Sequence, residues 1–321
     1  MPILFILPSS NDWARNMGSI SFILLFILLF ITFYTKLPYQ IWKWTHKFLG
    51  LTFFLGGLHA LFIGSDIAKN PFLKYYLIIL CSVAIIVYFY RTVLFKFTVK
   101  RHKFTVENIT NTNGIFQISL RPKKEKLQFE AGQFIFISFE QRGFPSESHP
   151  FSIVSAQNED VLRLGIKALG DFTKKLNNLK IGTIALIEGP FGVFSYKKAE
   201  NKKQIWIAGG IGITPFISMA KSIHDSEYNI DLYYCVNSQE EAVFMKELQS
   251  ISEKNHDFHV IPWISKERGF LNIESINKLS GNLVDKDYFL CGPPAMMKNM
   301  RKQLNTLNIP ENQIHSEEFA Y

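Results

Sequence analysis

The stretch Gln204-Ile-Trp-Ile-Ala-Gly-Gly-Ile-Gly-Ile-Thr-Pro decides the fold of the C-terminal third of the chain. Its apolar first half is typical of a buried parallel strand, and the glycines that follow predict a tight turn into a helix. Gly210 and Gly212 would let the backbone approach an anionic group. Thr214 is expected to cap the helix and Pro215 to occupy its first turn, so that the helix N-terminus faces a pyrophosphate.

This turn is not the dinucleotide fingerprint GxGxxG, because Pro215 stands where the third glycine would be. Taken alone, it is equally well explained as a phosphate site or as an ordinary strand–turn–helix connection. A second turn, Cys291-Gly-Pro-Pro-Ala-Met-Met, repeats the same pattern further along the chain. From Lys203 onward, predicted strands alternate with helices, at 204–208, 215–224, 231–236, 240–250, 288–290 and 295–307. This alternation predicts an α/β domain with a doubly wound parallel sheet over 197–321.

Shorter segments precede that domain. Gly114–Leu120, Gln133–Phe139 and Leu162–Ala168 are rich in β-formers and are separated by Gly, Pro and Asn. They predict an antiparallel barrel or sandwich that extends to about Tyr196, and we place this domain at 96–196.

The composition points to a third kind of structure. Hydrophobic residues make up 47% and charged residues 19% of the 321 residues, which excludes a disordered chain. Three long uncharged stretches lie in the first third, namely Met17–Thr35, Phe48–Ser65 and Tyr75–Tyr90. They predict a bundle of three transmembrane helices at about 17–35, 39–64 and 72–95 within a unit 1–95 in the lipid bilayer. The alternative is three buried helices of a soluble domain.

Charge predicts the orientation of these helices. Basic residues between the first two helices and after the third would be cytoplasmic, so the C-terminal domains would lie on the cytoplasmic side of a plasma (inner) membrane. The three cysteines are too far apart for a disulfide framework or a zinc site. The excess positive charge is dispersed and carries no nucleic-acid motif, so no nucleic-acid partner is expected.

Two histidines fall in the second predicted membrane helix. Imidazole is a common axial ligand of haem iron, so His46 and His59 are candidate ligands of haem b. Thirteen residues separate them, about 20 Å along a helix, although a straight helix would point them in different directions. Gly50, Gly56 and Gly57 would permit a bend or leave room for porphyrins. The alternative is one interfacial histidine and one histidine between helices.

Binding two haems through paired histidines takes four imidazoles, and the predicted membrane unit, residues 1–95, has two. A partner chain or further N-terminal helices would have to supply the others.

Six cytoplasmic motifs occur in an order that resembles the ferric reductase / NADPH oxidase family. They are His149-Pro-Phe-Ser-Ile, Lys167-Ala-Leu-Gly-Asp-Phe-Thr, Gly189-Pro-Phe-Gly, the two turns already described, and Glu317-Glu-Phe-Ala-Tyr. That family joins a ferredoxin–NADP reductase-type module to a haem-bearing membrane domain. The resemblance therefore implies an NAD(P)H-dependent oxidoreductase with FAD in the barrel and NADPH or NADH in the α/β domain.

The resemblance also implies roles for individual residues. Those implied to hold the flavin and its phosphates are His149, Pro150, Phe151, Ser152, Ile153, Lys167, Gly170, Asp171, Phe172 and Thr173. Those implied to hold or border NAD(P)H are Gly209, Gly210, Gly212, Thr214, Pro215, Ser238, Cys291, Gly292 and Pro293. Catalytic roles would fall to Ser152 near flavin N5, Cys291 beside the nicotinamide, and Phe319 stacked on the isoalloxazine, with Tyr321 as the second choice for that stacking role.

The implied activity carries electrons from NAD(P)H through FAD and haem across the membrane to ferric iron or O₂. Two alternatives stay open at this stage. One is a haem-free, membrane-anchored flavin reductase that serves a quinone or a partner cytochrome, and the other is a non-enzymatic membrane subunit. NADPH-using members often carry an arginine after the second strand of the nucleotide sheet, where this chain has Asn237-Ser238. Ser238 could still bond a 2′-phosphate, which leaves a mild preference for NADPH.

Overall fold

The computed structural model describes residues 12–35, 37, 39–63, 69–94, 98–223 and 227–318. The chain divides into two compact units, residues 1–99 and residues 100–321. Each unit is described by itself below.

The first unit contains three long helices, α1 (Trp13–Tyr34), α2 (Tyr39–Phe62) and α3 (Pro71–Phe89), the last continued by a π-helical turn over Tyr90–Leu94. Asp12 and Asn70 cap α1 and α3 by accepting hydrogen bonds from first-turn amides. Helices thus form in all three predicted regions. Among the described residues, α1 and the segment 71–94 are long and apolar enough to cross a membrane by length and composition. A bundle of three such helices is therefore not established.

Glycines of α2 contact side chains of its neighbours: Gly50 with Tyr88, Gly56 with Ser21, and Gly57 with Cys81. A Cβ atom at Gly50 would lie 2.3 Å from the Tyr88 ring, so only glycine fits there. Small residues at such positions let helices approach closely. Side chains of the neighbouring helices lie over these glycines in the structure, and the interpretation of the glycines as room for porphyrins stays a prediction.

The second unit begins with six antiparallel strands. They are β1 (His102–Thr112), β2 (Ile115–Pro122), β3 (Phe134–Glu140), β4 (His149–Ser152), β5 (Leu162–Lys167) and β6 (Ile184–Phe191). Their order is β4-β3-β6-β1-β2-β5, and a bridge between Ile153 and Leu164 joins the two edge strands. The sheet is thereby closed, which confirms the predicted antiparallel domain.

The interior of the closed sheet is built from alternate residues of each strand. On β3, for example, Ile135, Ile137 and Phe139 are buried while their neighbours are half-buried or exposed. Ile153, a predicted cofactor-binding residue, is itself fully buried in this core. Its side chain therefore packs in the barrel core, and its backbone makes the bridge that closes the sheet.

Five parallel strands follow, β7 (Lys203–Gly209), β8 (Asn229–Val236), β9 (Phe258–Ile264), β10 (Asp287–Cys291) and β11 (Ile314–Glu317), in the order β11-β10-β7-β8-β9. The helices that accompany the two sheets are α4 (Asp171–Lys174), α5 (Thr214–Lys221), α6 (Met245–Lys254), α7 (Ser265–Arg268), α8 (Ile273–Ser280) and α9 (Pro294–Thr306). Because strands follow one another outward from β7 on one side and from β10 on the other, the sheet is doubly wound, as predicted.

The central strand is buried on both faces. Trp206 and Ala208 of β7 lie in one apolar cluster, and Ile205 and Ile207 lie in another on the opposite face. This explains why β7 is almost continuously apolar in sequence. The helix expected over 240–250 begins only at Met245, because 239–241 forms a separate 3₁₀ turn.

Charged side chains join the barrel to the parallel-sheet part of the second unit. Arg163 of β5 donates to both carboxylate oxygens of Glu247 on α6, at 2.6 and 3.1 Å. Lys221 at the end of α5 lies 2.8 Å from both Glu247 and Glu159. Burial acts to raise the pKa of Glu247, but the hydrogen bonds from Arg163 and Lys221 outweigh it and hold that pKa below its usual value. The ionised carboxylate is therefore the state that this interface stabilises.

Glu247→Gln should lower the free energy of unfolding by about 1.5–3 kcal/mol at pH 7, because it removes charge-assisted hydrogen bonds from a partly buried site. A carboxyl group whose pKa falls on folding stabilises the folded state above its unfolded pKa of about 4.3, and this contribution is lost as the pH falls. The difference between wild type and variant should thus shrink below about pH 4. Thermal unfolding at pH 7 and pH 3 measures it, with the exposed Glu253→Gln on the same helix as a control expected to change little. A constant difference at both pH values would contradict this account.

Candidate functional site

Two turns meet where the winding of the parallel sheet reverses, between β7 and β10. The first runs from Gly209 at the end of β7 through the 3₁₀ turn Gly210–Ile213, and the second is Cys291-Gly292-Pro293 at the end of β10. Ligands of doubly wound sheets bind outside the carboxyl ends of the strands at such a point. The sequence motifs and the topology therefore place a site at the same edge of the sheet.

The glycines of these turns have different roles. Gly210 has a φ of +54°, and a Cβ there would meet nothing within 4 Å, so its backbone faces open space. A Cβ at Gly212 would lie 2.3 Å from the carbonyl oxygen of Cys291, so this glycine lets the two turns pack together. Gly209 is likewise packed against Pro293 of the second turn and Met296 of α9, and Gly292 is packed against Gly209 and Met296. Of the pair expected to face a pyrophosphate, the geometry supports that role only for Gly210.

Thr214 does not have the predicted capping role. Helix α5 begins at Thr214, its N-cap residue is Ile213, and the Thr214 hydroxyl donates to the Ile211 carbonyl at 3.0 Å. Thr214 is 2% exposed, and the next residue, Pro215, is also buried. The Thr214 methyl group faces Gly165 of the barrel, where a Cβ would be only 2.8 Å away. Both residues fix the helix against its surroundings, and neither presents a side chain to a ligand.

The buried hydroxyl of Ser152 is the feature of the barrel that indicates a ligand. This serine is 3% exposed, and its hydroxyl has no hydrogen-bond partner among the described residues. It pairs with Phe134 of β3, and Pro150 pairs with Phe136, so these four residues lie on the same face of the sheet. A buried hydroxyl without a partner costs about 1–3 kcal/mol. A cofactor with a hydrogen-bonding edge beside this face would remove that cost.

The other face of β4 carries His149 and Phe151. The His149 ring lies over the Phe172 ring of α4, with centroids 3.9 Å apart, and the Phe151 and Phe172 rings are stacked at 6.3 Å. Phe172 is itself buried, at 7% exposure. Its position indicates that it holds the short helix α4 against β4 and does not form an open wall of a cofactor site.

The turn before α4 was predicted to donate backbone hydrogen bonds to the flavin phosphates, and only part of it has free donors. Thr173 Oγ1 accepts hydrogen bonds at 2.9 Å from the amides of Leu169 and Gly170, so these two donors are already used. The backbone donors left for a phosphate are those of the first helical turn, which begins at Asp171. Lys167, half-buried at the end of β5, is one of the cations near this turn in the sequence.

Cys291 and Glu317 lie side by side at the carboxyl end of the parallel sheet, paired across β10 and β11. Cys291 is fully buried, and burial together with the charge of Glu317 raises the pKa of its thiol well above the usual value. Burial also raises the pKa of the Glu317 carboxyl. The sequence gives no signal for this proximity, since only the register of β11 against β10 shows that Glu317 neighbours Cys291. Phe319 and Tyr321 lie outside the described residues.

In the first unit, His59 Nδ1 lies 2.8 Å from the Ala14 carbonyl oxygen of α1, while the His46 ring lies 4.1 Å from that of Trp42. No group of three or more His, Cys, Asp or Glu side chains suited to a metal ion occurs in the described part of the chain. The two imidazoles in this unit do not make the four that two bis-histidine haems require. The residues of this chain therefore do not fit the predicted haem sites by themselves.

Comparison with known proteins identifies the second unit. Residues 96–216 match a family described as an FAD-binding domain, and residues 206–302 match the oxidoreductase NAD-binding domain family. The chain is 25% identical over 211 residues to the glycine betaine monooxygenase reductase subunit of Chromohalobacter salexigens, covering 60% of this chain and 56% of that protein. It is 27% identical over 220 residues to NADH-cytochrome b5 reductase 1 of Aspergillus terreus, covering 62% and 74%.

The fold is also that of a solved ferredoxin NADP⁺ reductase from Neisseria gonorrhoeae with bound FAD and NADP, with a TM-score of 0.60, 22% identity, and coverage of 68% of this chain and 98% of that one. The match spans a little over half the length of the first relative named above. The chain therefore carries an FAD- and NAD-binding module of the ferredoxin reductase type, and the prediction of an NAD(P)H-dependent oxidoreductase is confirmed. Haem binding and the fused ferric reductase-like membrane domain stay predictions.

Gly212→Ala should destabilise the second unit more than Gly210→Ala. The added methyl group at residue 212 meets the backbone of Cys291, which cannot rotate away, and overpacking of this kind costs up to about 3 kcal/mol. At residue 210 there is space, so only the left-handed backbone conformation opposes alanine, at about 1 kcal/mol. Thermal unfolding of both variants measures the difference, and equal midpoints would show that the two turns are not tightly packed.

Proposed function

We propose that this chain is a membrane-attached, NAD(P)H-dependent FAD reductase that delivers electrons to a separate redox partner. The observation that carries the proposal is the buried Ser152 hydroxyl on the barrel, which has no hydrogen-bond partner in the described part of the chain. It lies in one compact unit with a doubly wound sheet whose two turns meet at the switch point. FAD, when bound, takes up a hydride from NAD(P)H and returns its two electrons singly.

The protein's part in this chemistry is to position the flavin and the nucleotide and to exclude water. The Ser152 hydroxyl would donate a hydrogen bond to the flavin edge that receives the hydride, and this donor is already desolvated before the ligand arrives. Gly210 offers exposed backbone for the dinucleotide phosphates. The Cys291 side chain is fully buried in an apolar core cluster, and because its pKa is raised the thiol stays protonated at neutral pH, so it does not act as a nucleophile.

The first unit supports attachment to a lipid bilayer. No residue of α3 is buried within the protein, and apolar side chains such as Ile79 and Ile86 are more than 60% exposed. Such a surface is unfavourable in water and favourable in lipid. With the basic residues that follow α3 on the cytoplasmic side, the reductase unit would face the cytoplasm at the plasma (inner) membrane.

The partner is inferred from the chemistry of relatives. The named relatives are a monooxygenase reductase subunit and a cytochrome b5 reductase, whose names identify protein acceptors or partners. An acceptor of the same class, a protein with a one-electron centre, would suit this chain. A quinone dissolved in the membrane is the small-molecule alternative.

A haem relay through the first unit to ferric iron or O₂ is the second candidate. One observation favours it, the contact between His59 Nδ1 and the Ala14 carbonyl, since ligating histidines usually donate their other ring nitrogen to such an oxygen. The relay needs further imidazoles from a partner chain or from additional helices.

Ser152→Ala should retain FAD and lower the rate of flavin reduction by NADH or NADPH by about tenfold or more, because one preorganised donor to the developing charge is removed. Stopped-flow absorbance under anaerobic conditions measures this rate in the detergent-solubilised full chain. Ser138→Ala, on the same strand face as Phe134 and Phe136 but further along β3, is the matched control. An unchanged rate in the Ser152 variant, or wild-type flavin that neither nucleotide reduces, would refute the proposal.

The two candidates differ in the visible spectrum of the purified full chain. A reductase that serves a separate partner should show flavin absorbance without the sharp reduced bands of b-type haem. If those bands are present, vanish in His59→Ala and persist in the exposed-residue control His256→Ala, the haem relay is the correct candidate.

A further inference from the structure

Four lysines gather where the first strand of the barrel begins and the second strand ends. Lys100 and Lys103 lie just before and within the start of β1, and Lys123 and Lys124 follow β2. The strand register brings them together, because the Lys123 amide donates to the Lys103 carbonyl at 2.9 Å, one step beyond the last paired residues of the two strands. These four residues are called the basic cluster below.

Two lysines of the basic cluster face outward from the sheet at directly opposed positions. Phe104 and Val106 of β1 are buried in the barrel core, so Lys103 points to the outer face, and so does Lys123 opposite it. Like charges directly opposite on neighbouring strands destabilise a sheet. The pair therefore carries an electrostatic cost that a negatively charged partner would remove.

The acidic side chains near the basic cluster do not neutralise it. Glu188 is paired with Arg101 at 2.8 Å, and Glu107 is paired with Arg121 at 2.6 Å. The four lysines are all exposed and form no ion pair with the residues that the structure describes. The exposed Glu125, next to the cluster in sequence, offsets one of its charges. The surface thus keeps an excess of positive charge that is open to a partner.

An exposed apolar side chain lies on the same outer face. Ile181, 65% exposed at the turn before β6, lines one surface groove together with Thr105 and Arg121. Thr105 is two residues along β1 from Lys103, and residues so spaced point to the same side of a strand. Lys180, next to Ile181, is exposed as well. Buried apolar area and attraction to anionic lipids together determine how strongly a surface binds at the lipid headgroup layer.

The chain itself keeps the basic cluster near the end of a membrane-length segment. The apolar segment 71–94 is long enough to cross a membrane, and Lys100 comes six residues after Leu94. Six residues span at most about 22 Å even when fully extended. Anionic lipids attract basic residues that follow a membrane helix this closely. The negatively charged partner within reach is therefore the headgroup layer of the lipid that surrounds the segment.

We propose that the basic cluster, together with Ile181, docks on the surface of a bilayer that contains anionic lipids, by attraction between the lysine ammonium groups and the negatively charged headgroups. The inference rests on the proposed function, but only on the attachment of the first unit to lipid. Docking would keep the barrel at a fixed distance from the bilayer.

The test compares lysine reactivity in the full chain reconstituted in two kinds of nanodisc, phosphatidylcholine alone and phosphatidylcholine mixed with phosphatidylglycerol. Acetylation at low conversion, followed by peptide mass spectrometry, gives a rate for each lysine. Lys103, Lys123 and Lys124 should react about threefold or more slowly in the anionic discs, because headgroups cover their amines. Salt at about 1 M shortens the Debye length to about 3 Å and should remove this protection. Lys298 and Lys302, exposed on α9, are internal controls that should react equally in both discs.

A double variant tests the assignment to the opposed pair. Lys103→Gln/Lys123→Gln should reduce the protection of Lys124 to less than about twofold, because two of the attracting charges are lost. The charge-matched Lys298→Gln/Lys302→Gln should leave that protection unchanged. Both variants replace exposed side chains, so both should fold. Protection of Lys124 that survives the first variant would overturn the assignment.

Equal acetylation rates in the two kinds of disc would overturn the inference, and so would equal slowing at Lys298 and Lys302. Reduction of the flavin by NADH or NADPH, measured in the same discs, separates this inference from the proposed function. If the lysines are protected but neither nucleotide reduces the flavin, the electron-transfer proposal fails and the lipid contact stands. If the flavin is reduced but the lysines are not protected, only the inference fails. A chain that enters neither kind of disc would contradict both the attachment and the inference.

Discussion

The contact between Gly212 and the carbonyl oxygen of Cys291 brings together the ends of β7 and β10, on which the nucleotide site depends. The two strands are neighbours in the sheet but are separated by some eighty residues of sequence, so their turns must pack without side chains between them. Glycine is the residue that permits such an approach of two backbones. Once the turns are packed, Gly210 is left as the open position, and helix α5 starts in a fixed direction from the same turn.

From α5, the constraint extends to the barrel. The Thr214 methyl group fills the space beside Gly165, and the buried Ser218 hydroxyl donates to the Ser155 carbonyl at 2.8 Å. The ion pairs of Arg163 and Lys221 with Glu247 surround this apolar and hydrogen-bonded contact. Hydride transfer requires the two reacting atoms to approach within about 3.5 Å. An interface of this kind holds the barrel and the parallel sheet in the fixed relation that the reaction needs.

Electrostatics at the carboxyl ends of β10 and β11 is governed by burial. Burial, with the charge of Glu317, raises the pKa of the Cys291 thiol and keeps it protonated, and burial also raises the pKa of the Glu317 carboxyl. At the interface with the barrel, by contrast, the hydrogen bonds from Arg163 and Lys221 hold the pKa of the Glu247 carboxyl below its usual value in spite of burial. Similar acidic side chains thus titrate differently because one has cationic partners and the other does not.

The sequence alone determined the kinds of domain and the location of the turns. The apolar run at 204–208, the short β-rich segments and the six motifs each depend on local propensity or spacing, which the chain carries without reference to its fold. What individual residues do was decided by tertiary structure. Thr214 packs against Gly165 where a cap was expected, and Gly212 packs against Cys291 where a phosphate was expected, because each outcome depends on a neighbour distant in sequence. Strand register placed Glu317 beside Cys291, and barrel closure left the Ser152 hydroxyl buried without a partner among the residues that the structure describes. No local pattern encodes either outcome, since both arise only when separate strands meet.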